Sequence, residues 1–170
     1  AQLKLIRGAP VSVLVAPAGG GKTFVAIKRM LEVVRNDKDL LFVAPNKALA
    51  LFACKWLVVA SGKLAECVVN RVHVLVPPFE RGPRGIVVET GGGRQRLGID
   101  KADIGVARYE LVVVDEVHHL LEEVALHAQL EALGAAKTRL LFLADASQAT
   151  TTLAMDTLVH SLVELPQEQE

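Results

Sequence analysis

Three consecutive glycines, Gly19, Gly20 and Gly21, run directly into Lys22 and Thr23, and these residue types in this order suit a phosphate. Glycine lets backbone N–H groups come close to anionic oxygens, and a helix starting at the loop adds its partial positive charge. A lysine at this point reaches the β and γ phosphates of a nucleotide, and a threonine hydroxyl can ligate Mg²⁺. Pro17 and Ala18 complete the turn. The position that is usually the first glycine of such a loop is Ala16, a mild departure if its φ is negative. A second pair of reactive residues, Asp115-Glu116, stands about ninety residues downstream, after the apolar run Leu111-Val112-Val113-Val114. An aspartate at a strand end is placed to hold Mg²⁺, and a glutamate beside it can orient or deprotonate an attacking water. An acidic pair alone is a weak signal. After a phosphate loop it is a strong one.

The elements that must position these residues follow from periodicity. Val11 to Val15 is an apolar, β-branched run that predicts a strand entering the loop. After Lys22, Phe24, Ile27, Met30, Leu31 and Val34 recur at helical spacing, and Asn36-Asp37-Lys38-Asp39 closes the helix. Leu40 to Ala44 predicts a buried strand, and Asn46 an N-cap for a helix with Leu49, Phe52, Trp56 and Val59 on an inward face. An aromatic at such spacing is usually core; Trp56 as a base-stacking platform is the lesser alternative.

Val72 to Val76 predicts a third strand. From Pro77 to Asp103 the chain turns basic and rich in Gly and Pro, with Arg81, Arg84, Arg94, Arg96 and Lys101, interrupted by Ile86-Val87-Val88. That composition predicts a mobile surface loop, with nucleic-acid contact as the alternative. Beyond the acidic pair, a helix is expected from Val117 to Leu133 with Gly134 as its cap, then a strand over Arg139 to Leu143. A last helix is expected from Thr152 to Leu165, before a polar tail of residues 166–170. Strands alternating with helices predict an α/β fold, a mostly parallel sheet covered by helices on both faces, as one domain over residues 1–165.

Composition narrows the function classes. Half the residues are hydrophobic, which excludes a disordered chain. Lys plus Arg and Asp plus Glu number 19 each, so no global field draws nucleic acid and any such binding must be local. Cys54 and Cys67 match no metal spacing, and a reducing intracellular compartment, cytoplasmic or nuclear, is expected. Lys4, Arg7, Val11 to Val15 and Ala16-Pro17-Ala18 mimic a secretory signal, but the apolar core is too short. No apolar run approaches membrane-spanning length, so no membrane partner is expected.

Four stretches stand in the order of superfamily 1 helicase motifs I, Ia, II and III: Ala16 to Thr23, Phe42 to Ala50, Asp115-Glu116-Val117-His118, and Ala144-Asp145-Ala146-Ser147-Gln148. From Val11 to Gln148 the chain resembles the first RecA-like domain of that superfamily, a phosphate-loop nucleoside-triphosphatase fold, and is similar to the ATPase region of Schlafen-type proteins. The resemblance implies ATP as ligand, held by Pro17 to Thr23, with Mg²⁺ on Thr23 and Asp115. It implies Lys22 as phosphate ligand, Glu116 as catalytic base and Gln148 as γ-phosphate sensor, while Asn46 and Lys47 fall where the family touches single-stranded RNA or DNA. Ala144 replaces the usual glycine, and His118 fits the Asp-Glu-x-His box of superfamily 2, leaving the branch open. His118 and His119 are adjacent in sequence, too close for a simple helical metal site. Helicases carry a second RecA-like domain, and the residues from 149 to 170 are too few for one, so the chain is expected to be a fragment or a lone ATP-binding module, weak as an ATPase. Two rival readings are an ATP-dependent regulatory switch and a phosphate-loop kinase with the Pro77 to Asp103 segment as its lid.

Overall fold

The computed structural model of the chain describes residues 10–62, 65–100, 108–120, 122–133 and 138–145. Seven strands form one sheet: β1 (Val11–Ala16), β2 (Asp39–Val43), β3 (Val72–Leu75), β4 (Arg84–Gly91), β5 (Arg94–Asp100), β6 (Tyr109–Val114) and β7 (Arg139–Asp145). Their order across the sheet is β1-β7-β6-β2-β3-β4-β5. The five from β1 to β3 in that order are parallel, and β4 and β5 continue antiparallel. Among the described residues four helices accompany them: α1 (Lys22–Arg35), α2 (Lys47–Ser61), α3 (Ala65–Arg71) and α4 (Val124–Ala132).

The central strands are apolar throughout because both of their faces are covered. On β2, Leu40 and Phe42 join the core under α1, α2 and α3, while Leu41 and Val43 point the other way, toward α4. On β6, Leu111 and Val113 alternate with Val112 and Val114 in the same manner. The fold is the expected α/β sheet with helices on both faces, a RecA-like phosphate-loop architecture. Register fixes where chemistry can occur: Ala16 pairs with Asp145, and Val43 with Val114. The turns after β1, β2 and β6 therefore leave from the same edge, the one at which β7 ends.

Three expectations are corrected. The segment expected as a loop from Pro77 to Asp103 holds, over its described residues 77–100, a 3-10 turn (Phe79–Arg81) and the β4–β5 hairpin, paired from Gly85↔Asp100 to Gly91↔Arg94. Gly92 and Gly93 close it with φ of 58° and 74°, the left-handed pair that a two-residue turn between twisted strands requires. The helix expected from Val117 to Leu133 begins instead as a 3-10 turn (Val117–His119), and α4 starts only at Val124. Its i→i+3 bonds run from His119 N–H to Glu116 O and from Leu120 N–H to Val117 O, both 2.9 Å.

The third correction concerns α2. Its buried stripe is Ala50, Ala53, Cys54, Leu57 and Ser61, whereas Phe52, Trp56 and Val59 are exposed and Leu49 only half-buried. Two stripes of the helix are equally periodic, and the one with small residues wins because it lets α2 lie close on its neighbours. Asn46 caps the helix as expected, its Oδ1 accepting from Leu49 N–H at 2.9 Å. The expected Gly134 cap, the helix over Thr152 to Leu165, the polar tail and Gln148 lie outside the described residues.

Candidate functional site

β1 delivers the chain to a turn whose glycines are each used differently. Gly19 and Gly21 take φ of 74° and 80°, the left-handed region that other L-residues enter only at a cost. Gly20 meets a space limit instead, since a Cβ there would sit 2.9 Å from Pro17 O and 3.0 Å from the Ala16 Cβ. Its N–H donates to Pro17 O at 2.9 Å and tightens the turn. Ala16 does not have positive φ, so the missing first glycine costs nothing.

Gly21 is the N-cap of α1, and the first intrahelical bond is Val25 N–H to Gly21 O at 3.1 Å. The N–H groups of Lys22, Thr23 and Phe24 are therefore left without intrahelical acceptors, which is what an anion site at a helix start needs. Lys22 is buried and folds back over the turn, donating from Nζ to Ala16 O at 2.6 Å and to Pro17 O at 3.4 Å. A phosphate would receive an ammonium already held over the loop. Thr23 is half-buried in the first turn of α1.

The acidic pair leaves β6 at the same edge. Asp115 N–H donates to Val43 O at 3.0 Å, extending the β2–β6 ladder by one bond and fixing the aspartate. Asp115 as a whole is 2 % exposed, and burial lifts its pKa to about 6. The Glu116 N–H, donating to Asp115 Oδ1 at 2.9 Å, opposes that shift; the Glu116 charge adds to it and Lys22 opposes it. A buried carboxylate in this condition is short of positive charge. With the Thr23 hydroxyl it supplies hard oxygen donors of the kind Mg²⁺ takes, so the residues fit that ion.

Glu116 occupies φ 49°, ψ 45°, a left-handed conformation costing a non-glycine residue of order 1 kcal/mol. The strain turns its side chain back toward the cleft, where its carboxylate lies 3.2 Å from His118 Nε2. Burial first, and then His119, hold His118 below the ordinary imidazole range, against the pull of Glu116 and Asp145. His118 Nε2 thus stands within hydrogen-bonding reach of the Glu116 carboxylate and is placed to steady it. This partner was missed in the sequence because the 3-10 turn that brings it round was expected to be an α-helix.

A cleft of about 540 Å³ joins the pieces, lined by residues 18–24 with Glu116 and Asp145 on its polar side. Phe24, Phe52 and Trp56 make its apolar side, with the rings of Phe52 and Trp56 6.2 Å apart. Of the residues expected in the site, Ala18 to Thr23 and Glu116 line this cleft, and Asp115 sits buried behind Glu116. Pro17 contributes its carbonyl to the loop. Gln148 lies outside the described residues. Asp145, read only as part of a motif, is a wall of the cleft.

A glycine loop at a helix start, facing an acidic pair on a parallel strand two places away in the sheet, defines a phosphate-loop ATPase domain of helicase type. The family model for the DEAD/DEAH box helicase matches residues 3–155. The chain belongs to the DEAD/DEAH box helicase family. Among solved structures it is similar to the ATPase domain of the large terminase of Thermus phage P74-26, with TM-score 0.48 and 13 % identity over 84 % of this chain and 62 % of that one. A point mutant of the same domain gives TM-score 0.48 and 12 % identity, over 84 % and 63 %. The chain thus spans about three-fifths of the length of those domains. No curated protein matches it.

Proposed function

We propose that the chain binds ATP with Mg²⁺ and hydrolyses it, as the first motor domain of a helicase-like protein. The observation that carries this reading is the single cleft in which Lys22, Thr23, Glu116 and Asp145 meet. Gly19 to Thr23 surround the phosphates, and Lys22 moves from the Ala16 and Pro17 carbonyls to the β and γ phosphoryl oxygens. Thr23 and Asp115 hold the Mg²⁺, which when bound neutralises charge on those oxygens. Glu116, steadied by His118, accepts the proton of the attacking water. Gln148 senses the γ-phosphate, a role carried over from the helicase motif.

Lys22 is the one cation among the described residues lining the cleft. Phosphoryl transfer gains roughly 10³–10⁵ in rate from an added arginine. We assign that arginine to a second RecA-like domain in the full-length protein, and expect the chain alone to turn over slowly. Single-stranded RNA or DNA would meet the chain near Asn46 and Lys47, at the start of α2. An intracellular location agrees with two free cysteines. The kinase reading loses its lid, since Arg84, Arg94 and Arg96 stand on β4 and β5, beyond β3 in the sheet.

Trp56, the sole tryptophan, lines the cleft, so its fluorescence reports nucleotide. Titration with Mg-ATP should saturate in the wild type, and Lys22→Ala should weaken binding by about 1.5–3 kcal/mol, the worth of a charge-assisted contact. Equal affinity in the two proteins would overturn the proposal.

A further inference from the structure

The 3-10 turn after β6 gathers three metal-binding side chains that the proposed reaction does not use together. The bond from His119 N–H to Glu116 O, 2.9 Å, closes the turn and brings His119 back beside Glu116. The rings of His118 and His119 lie 4.1 Å apart, and one donor atom from each of Glu116, His118 and His119 falls within 4.8 Å of the others. We propose that these three residues bind a borderline transition-metal ion such as Zn²⁺, and that its occupancy withdraws Glu116 and inhibits turnover. The inhibitory half rests on Glu116 acting as the base; the site itself does not.

Geometry and donor chemistry carry the site. Zn–O and Zn–N bonds of about 2.0–2.2 Å place two ligands of a tetrahedral ion roughly 3.3 Å apart. Glu116 Oε2 and His118 Nε2 are 3.2 Å apart, the spacing that two ligands of one such ion take. His119 is exposed and can swing to complete the set, leaving the fourth position for water, the usual arrangement of an open zinc site. Two imidazoles and a carboxylate suit Zn²⁺ or Co²⁺, whereas Mg²⁺ keeps to oxygen donors. The site is therefore distinct from Thr23 and Asp115 and would fill in the presence of excess Mg²⁺.

The test uses Co²⁺, whose d–d absorption reports inner-sphere nitrogen ligands, titrated into this chain in excess Mg²⁺. One equivalent should bind and be displaced by Zn²⁺, and His119→Ala should weaken binding roughly tenfold or more, the least that losing a ligand costs when an outer-shell loss costs 10–100-fold. His118→Gln should do the same, and circular dichroism should find both variants folded. No stoichiometric binding by the wild type, or undiminished binding by folded His119→Ala, would overturn the site. Micromolar Zn²⁺ should inhibit wild-type ATP turnover and spare His119→Ala, with equal rates in its absence. Binding without inhibition would keep the site and overturn the inhibition. Normal hydrolysis by Glu116→Gln would instead remove the base reading while leaving the Co²⁺ result standing.

Discussion

The two edges of this sheet were built by different rules. From β1 to β3 the strands are parallel, so consecutive ones need crossovers, and the turns after β1 and β6 that carry the site leave from the same ends of the strands. At the other side, β4 and β5 form a hairpin closed by Gly92-Gly93, a connection too short to offer a helix start or a crevice. The parallel part holds the charges that matter in pairs at strand ends: Lys22 after β1, and Asp115 with Glu116 after β6. The hairpin holds Arg94 and Arg96 on an exposed edge strand. Six strand spacings separate β1 from β5, roughly 28 Å. Basic charge near a phosphate site in sequence is thus no guide to charge at that site.

The sharpest way to break this contrast is to mutate one residue from each side. Glu116→Gln keeps shape and loses the base, and should lower ATP hydrolysis by about 10²–10⁴-fold with binding intact. Arg94→Ala/Arg96→Ala should change single-chain turnover by less than about twofold, because a removed arginine matters only within reach of the transferring phosphoryl group. Phosphate-release rates for both proteins decide the matter. A large loss in the double mutant would place the hairpin over the cleft and void the comparison.

A smaller effect is expected in stability, with its sign set by Asp115. Its folded pKa of about 6 lies above the ordinary 3.8, so between those values the folded chain holds a proton that the unfolded chain has released. The Asp115 contribution to stability is therefore full below about pH 4, is lost as pH rises through 6, and stays absent above it. Two pH units correspond to on the order of 2–3 kcal/mol. Asp115→Asn should recover that amount at pH 7 without Mg²⁺, flatten the acid side of the profile, and abolish Mg²⁺-dependent ATP binding. Thermal melts of both proteins from pH 4 to 8 measure it. A mutant less stable than wild type at pH 7 would mean that Asp115 is already compensated.

The parallel half was legible because its signals are local and redundant. A strand, three glycines, Lys22 and Thr23 specify one structure, and continuous apolar runs such as Leu111 to Val114 have no other stable home than a covered sheet. The hairpin was also written in the sequence: Gly92-Gly93 between Ile86-Val87-Val88 and the alternating Arg94 to Ile99. Composition rich in arginine, glycine and proline masked that period of two. The inward face of α2 was not decidable from periodicity, since Ala50, Ala53 and Leu57 repeat as regularly as Phe52, Trp56 and Val59. Which stripe faces in depends on how near the sheet lies, a tertiary fact. His118 reaches Glu116 across a left-handed residue at the head of a 3-10 turn, a backbone geometry that the residue types alone do not announce.

Glycine itself offers the finest comparison between the two edges. Gly92 stands at φ 58° with no atom within 4 Å of an added Cβ, so Gly92→Ala meets strain and no collision. A left-handed alanine costs roughly 1–2 kcal/mol, spent on the hairpin alone. Gly20 lies where φ is not positive, but its added Cβ would press on the Pro17 carbonyl at 2.9 Å, and backbone cannot move aside as a flexible side chain would. Gly20→Ala must therefore push the turn open, breaking its own N–H bond to Pro17 and displacing the carbonyls that hold Lys22. Its stability cost should be similar, about 1 kcal/mol for one lost hydrogen bond. The two variants should separate by ligand: Gly20→Ala should lose ATP affinity by about tenfold, and Gly92→Ala should lose none. Trp56 fluorescence titrations beside thermal melts give both quantities for each protein. Equal affinities would mean that the loop adapts around an added methyl group, and that its close approach at Gly20 is a matter of folding rather than of phosphate.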